Sequence, residues 1–466
     1  MKEKHISKNL IQGSFLRNFS KLAIPNLIST FLASGIVIFD LWYIGMIGKD
    51  ALAGVAFIFP IYMLASMLSS GAFGGAISGA VARSIGEQNI FKSTCIFRSA
   101  LIIALIGSCI MLTLYFVFFP SYRDQMFLDV KSYRFAVEYG NILLCGIILI
   151  WIFNVLMAVT RGIGNTKIVA ICWLMVLIFQ VFLASFNFQI EEESLKLTRT
   201  VSISFLHLFF QPIEWSAISF LGGFVFGIIS ISIFYIFFNH PLRFRYSEAL
   251  KFDGIFALIK SGSLAGCQSI LTITISLLSL SIVGFFGKDW AAGYGIALRL
   301  ELLLVPVIFG IGGALIALVG TNYGAGYFKK SVEYAWKGTT VTVLLVSLIG
   351  ITVFINPNLW TEFFTGNEKI ILITENYLTT VAICYPFFAL GLGLYFVCQA
   401  FNTLLWPVLG TLLRLTTILI LYLLLKYFNV FTYENILLVF AFSIVIYGIF
   451  IAFALHLGPW KKISQS

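Results

Sequence analysis

Between residues 20 and 458 the sequence is a succession of apolar runs, each long enough to cross a bilayer and separated from the next by a short polar break. Inside hydrocarbon every backbone N–H and C=O must be bonded within the chain, so spanning segments are helices or a closed barrel. A helix needs about 20 apolar residues to cross, whereas a barrel strand shows about ten alternating ones. The runs fall at 20–46, 52–82, 94–119, 135–160, 167–189, 215–238, 255–285, 290–320, 335–356, 371–399, 405–426 and 434–458, which predicts an all-α integral membrane protein with twelve transmembrane helices. A chain that is 60% hydrophobic and 11% charged is excluded from the water-soluble globular class.

The net charge of +10 does not indicate nucleic-acid binding, because the charges sit in the breaks and form no basic stripe interleaved with aromatics. Their distribution sets orientation instead. The amino terminus, the even-numbered loops and the carboxyl tail carry 19 of the 30 Lys and Arg at or beside them, the opposite side nine, and Arg299 and Arg414 fall inside runs. Both termini are therefore expected on the cytoplasmic side of the inner membrane. The seven cysteines are scattered without metal-ligand spacing and are read as packing residues.

The chain repeats itself. Gly48-Lys49-Asp50 returns as Gly287-Lys288-Asp289, an offset of 239, and Lys92-Ser93 returns as Lys330-Ser331, an offset of 238. An even number of spans per half makes the repeat parallel, with a pseudo-two-fold along the membrane normal and a cleft between halves, the layout of a transporter. The expected lobes are 1–238 and 255–466, two pseudo-symmetric six-helix bundles joined by a basic cytoplasmic linker at 239–254. Residues 190–214 are read as a peripheral insertion on the outer side.

Two spans carry acids. The first contains Pro25 and Asp40, separated by roughly 22 Å of helix, a hinge and a carboxylate on one element. A carboxylate at that depth costs about 2.5–3.5 kcal/mol and usually faces a protein interior or an ion path. The eighth span contains Glu301 beside Arg299; residues two apart do not share a helix face, so Glu301 is expected to project into the cleft as a contact for cations. Gly71–Gly75 and Gly310–Gly313 stand at matching places, where small residues allow close helix approach. No phosphate loop, serine elbow or zinc motif is present, so ATP hydrolysis and proteolysis find no residues, and transport would be coupled to an ion gradient.

The run FDLWYIGMIGKDALAGVAFIFPI, then AVARSIGEQN, RGIGNTK and LRLELLLVPVIFGIGGALIALVGTNYGAG, resembles the multidrug and toxic compound extrusion (MATE) family over nearly the whole chain. The resemblance implies a V-shaped pair of lobes and a cation-coupled antiporter that exports organic cations and drugs. It places Asp40 as the ion-coupling carboxylate and Pro25 as the bend of the first helix. Many relatives add Asn and Asp on the fifth span; here those positions are Gln180 and Ala184, so Asp40 is left with Asn154 and Gln180 as helpers, and protons suit it better than sodium. Glu301, Arg299 and Tyr43 are the expected substrate contacts. The implied ligands are a coupling ion, H+ or less readily Na+, with no cofactor; the partners are small organic cations or drugs and membrane lipids, with the chain working as a monomer. A flippase for a lipid-linked saccharide is the alternative transport reading, and a receptor or structural protein the alternative of another class.

Overall fold

The computed structural model describes residues 10–119, 130–186, 211–237 and 254–465. Twelve long helical elements account for most of them: α1 (Phe15–Ile47), α2 (Lys49–Gly86), α3 (Ile90–Phe118), α4 (Val130–Gly162), α5 (Thr166–Ser185), α6 (Pro212–Phe237), α7 (Ile255–Gly284), α8 (Lys288–Gly324), α9 (Phe328–Ile355), α10 (Glu368–Phe401), α11 (Leu405–Tyr427) and α12 (Tyr433–Leu457). Eleven are long and apolar enough to cross a membrane as they stand; α4 joins them as a broken span, bent by 45° at Gly146. Each covers one expected run and extends past most ends, because polar residues continue a helix beyond the hydrocarbon. The linker, all but residue 254, and the outer insertion, all but residues 211–214, lie outside the described residues.

Buried apolar side chains form two cores. One gathers α2 to α6 with the second half of α1, including Ile36 and Ile44. The other gathers α7 to α12 with the first half of α1, including Phe19, Leu22 and Ala23. The division by sequence is therefore crossed by the first helix, which changes lobe close to Pro25. Pro25 removes one i→i−4 bond and crowds the carbonyl of Lys21, so α1 is weakest where it passes between cores.

The duplication is visible in the backbone. Positive φ occurs at Gly48 and Gly287, at Gln88 and Gly326, and at Gly164 and Asn402, pairs separated by 239, 238 and 238 residues. The change of register has a physical cause. Residues Met67–Phe73 of α2 form a π-helical turn, which absorbs one residue more than the α-helix that stands at the equivalent place in α8.

The lobes meet along their amino-terminal-side halves. A Cβ on Gly86 would strike the carbonyl oxygen of Thr321, and one on Gly324 would strike that of Arg83. Positions 83 and 86 are the repeat equivalents of 321 and 324, so the contact is self-complementary about the pseudo-two-fold, as in an isologous dimer. Further along the seam Arg83 donates to the carbonyls of Gln399 and Ala400 at 3.0 and 2.7 Å. Gly324→Leu is expected to wedge this seal open, read as faster amide hydrogen exchange in residues 310–324. Unchanged exchange there would mean that the close backbone approach is dispensable.

Candidate functional site

Asp40 is 3% exposed and sits inside the amino-terminal lobe. Tyr139 of α4 donates to its Oδ2 at 2.6 Å, and Ser216 of α6 donates to its Oδ1 at 2.8 Å. Among the described residues no Lys or Arg pairs with it. Tyr43, one turn along α1, and Tyr62 of α2 are buried close enough to feel its charge. The arrangement is a lone carboxylate with hydroxyl donors and no fixed counter-charge. Whatever neutralises it must come and go.

Neither expected helper bonds Asp40. Gln180 of α5 donates to the carbonyl of Ile36, one turn before Asp40, at 3.3 Å, and its Oε1 is buried without a partner. Asn154 of α4 donates to Ser69 in the π turn at 2.8 Å. The carbonyl of Gly71 in that turn accepts from Gln399 of the other lobe at 3.3 Å, so the π turn ties the lobes together. Tyr139 and Ser216, the actual partners, were not legible as such: one tyrosine among 19 carries no local signal.

Glu301 stands inside the carboxyl-terminal bundle rather than on a cleft wall. Tyr377 of α10 donates to its Oε1. It shares a cavity of about 30 Å³ with Arg414 of α11, Tyr294, Ser279 and Phe388. That volume admits a water or two and no organic cation. The guanidinium of Arg414 lies 5.7 Å over Phe388, and its Nε has no hydrogen-bond partner. The two side chains share the cavity, with no ion pair between them among the described residues. Arg299 does not join them: it is exposed on another face of α8 and stacks on Phe364 at 5.1 Å.

The two acids are related. Tyr139 and Tyr377 are repeat equivalents at an offset of 238, and each donates to the buried acid of its lobe. The acid has changed helix, from the first of one half to the second of the other. In the carboxyl-terminal half Arg414 accompanies it, whereas Asp40 has no cation. Among the described residues, a buried acid with no cation beside it occurs in the amino-terminal lobe only.

Twelve spans in a parallel duplication, with a lone carboxylate on the helix that joins the lobes, define a secondary transporter by architecture. The MatE family model matches residues 25–186 and again 265–424, one match per half. The chain belongs to that family, the multidrug and toxic compound extrusion transporters. It is 21% identical to the probable multidrug resistance protein NorM of Listeria innocua, covering 82% of this chain and 81% of that one. It is 22% identical to a FAD transporter of Shewanella oneidensis over 76% and 73% of the two chains. A solved structure described as MATE in the bent conformation superposes with a TM-score of 0.84 at 17% identity, covering 99% of each chain.

Proposed function

We propose that this protein is a proton-coupled antiporter that exports amphipathic organic compounds, drugs among them, across the cytoplasmic membrane, with both termini inside the cell. The carrying observation is Asp40, a buried acid that is bonded only by hydroxyls on a helix that changes lobe near Pro25. A proton is the smallest ion that can cancel its charge without rebuilding the site, since both neighbours donate to the carboxylate. Protonation removes the charge and turns one of the two acceptor oxygens into a donor, so Tyr139 and Ser216 no longer both donate to the carboxyl; α1 repacks, and the bend at Pro25 carries the change to the seam. The relatives named for multidrug resistance support drugs as the cargo class. The expectation of organic cations comes from the family resemblance; Glu301, inside the bundle, adds no cleft-facing contact to it.

Purified protein in liposomes tests this reading. Norfloxacin should move under a pH gradient in sodium-free buffer and stand still under a sodium gradient alone. The reverse pattern would name sodium, and no movement under either gradient would end the efflux reading. Tyr139→Phe should slow pH-driven transport about tenfold, the loss of one hydrogen bond to a charged group, with the fold intact. Wild-type rates in that variant would show that Asp40 does not work through Tyr139.

A further inference from the structure

Among the described residues four charged side chains are buried: Asp40, Arg161, Glu301 and Arg414. Three are accounted for above. Arg161 is not. It lies in the last turn of α4, is 4% exposed, and its Nε has no hydrogen-bond partner. Among the described residues no acid pairs with it. Its guanidinium lies 4.9 Å over the ring of Phe309, which belongs to α8 of the other lobe.

The surroundings place this cation at the junction of three helices from both lobes. A Cβ on Gly313 of α8 would meet Cδ of Arg161 at 3.0 Å and strike the side chain of Asn26. Asn26 follows Pro25 on α1 and donates to the carbonyl of Gly310 at 2.7 Å. Beyond this level α1 turns to its own lobe, with Gly35 near Leu177 and Asp40 on Tyr139 and Ser216. On α8 the preceding turns face theirs, with Glu301 on Tyr377. Arg161 therefore stands where the lobes part. Asp40 is about 20 Å of helix beyond Asn26. Glu87 is held by Lys92 at 2.8 Å.

A guanidinium keeps its proton under all working conditions, and its planar fork of donors matches a carboxylate or phosphate. A buried cation that lacks an acid partner among the described residues is a ready site for an anion from outside. We propose that Arg161 determines substrate class: the exported compounds carry a carboxylate or phosphate group, which docks on Arg161 while Phe309 and its neighbour Phe396 take the apolar remainder. This rests on the transport reading and narrows it from drugs in general to acids and zwitterions. It also gives the proton a means of expelling cargo. Asn26 belongs to the same junction, so a bend of α1 at Pro25 changes the anion site and supplies the differential affinity that coupling needs.

The test is binding, which does not depend on transport. Quenching of tryptophan fluorescence in purified protein should show norfloxacin, a zwitterion, binding more tightly than its methyl ester, which lacks the carboxylate. Arg161→Gln should weaken norfloxacin by about 30-fold or more and leave the ester unchanged. Arg161→Lys, which keeps charge and loses the fork, should fall between. Equal affinity of acid and ester for the wild type would overturn the proposal even if Arg161→Gln failed to fold, and so would an equal loss for both probes in that variant. Repeating the titration in phosphatidylcholine nanodiscs with and without phosphatidylglycerol separates cargo from lipid. Acid binding that falls as phosphatidylglycerol rises, with the ester unaffected, would assign Arg161 to a lipid headgroup instead and overturn the cargo assignment. If norfloxacin binds as expected and is moved under no gradient, the transport reading fails and the anion site stands.

Discussion

Asp40→Asn is expected to abolish gradient-driven efflux, bringing norfloxacin flux in liposomes to the level of protein-free vesicles while binding persists. The side chain keeps its shape, its one oxygen can accept from Tyr139 or Ser216 and its NH2 can donate to the other hydroxyl, so the lobe should fold. What disappears is the change of charge. A transporter couples only if the ion alters the relative stability of two conformers, and an amide that never titrates alters nothing. Pro25→Ala probes the other end of α1: it restores a hydrogen bond at the point where the helix changes lobe, so turnover should slow while protons are still bound. Full transport by Asp40→Asn would remove Asp40 from the mechanism.

The second large effect is on stability. Arg414→Met is expected to destabilise the carboxyl-terminal bundle by about 3–5 kcal/mol, because the buried acid Glu301 then shares its cavity with no cation. Glu301→Gln combined with Arg414→Met should recover most of that loss, since removing both charges leaves nothing unpaired. Thermal unfolding in detergent across the four-member cycle measures it. A Glu301→Gln variant that is fully stable yet loses selectivity for cations would restore the cleft-facing reading of Glu301.

Most of the architecture was legible because a bilayer leaves few choices. Spanning length fixed twelve helices to within a few residues, and matched polar loops fixed the repeat. The register slip was legible as a number, though its cause, one residue absorbed by a π turn at Met67–Phe73, depends on backbone geometry that no residue type encodes. Asp40 and Pro25 stand out because each is costly in a span. Their partners do not. Tyr139 would have been found by applying the repeat offset to Tyr377, a step that needs a reason to choose those two among many tyrosines. Glu301 was assigned to the cleft because its sequence neighbour Arg299 drew attention, while the cation that shares its cavity, Arg414, lies three helices away on α11. Arg161 went unremarked because it ends a span and resembles a loop cation. Only the packing of α8 against α4 shows that it is buried.

Proton release on substrate binding tests the central claim most directly. Norfloxacin added to purified, detergent-solubilised protein in weakly buffered solution, at a pH where Asp40 holds its proton, should release a proton from the wild type and none from Asp40→Asn, with binding verified in both by fluorescence. Equal release from the two proteins, or binding with no release from either, would contradict Asp40 as the exchange site.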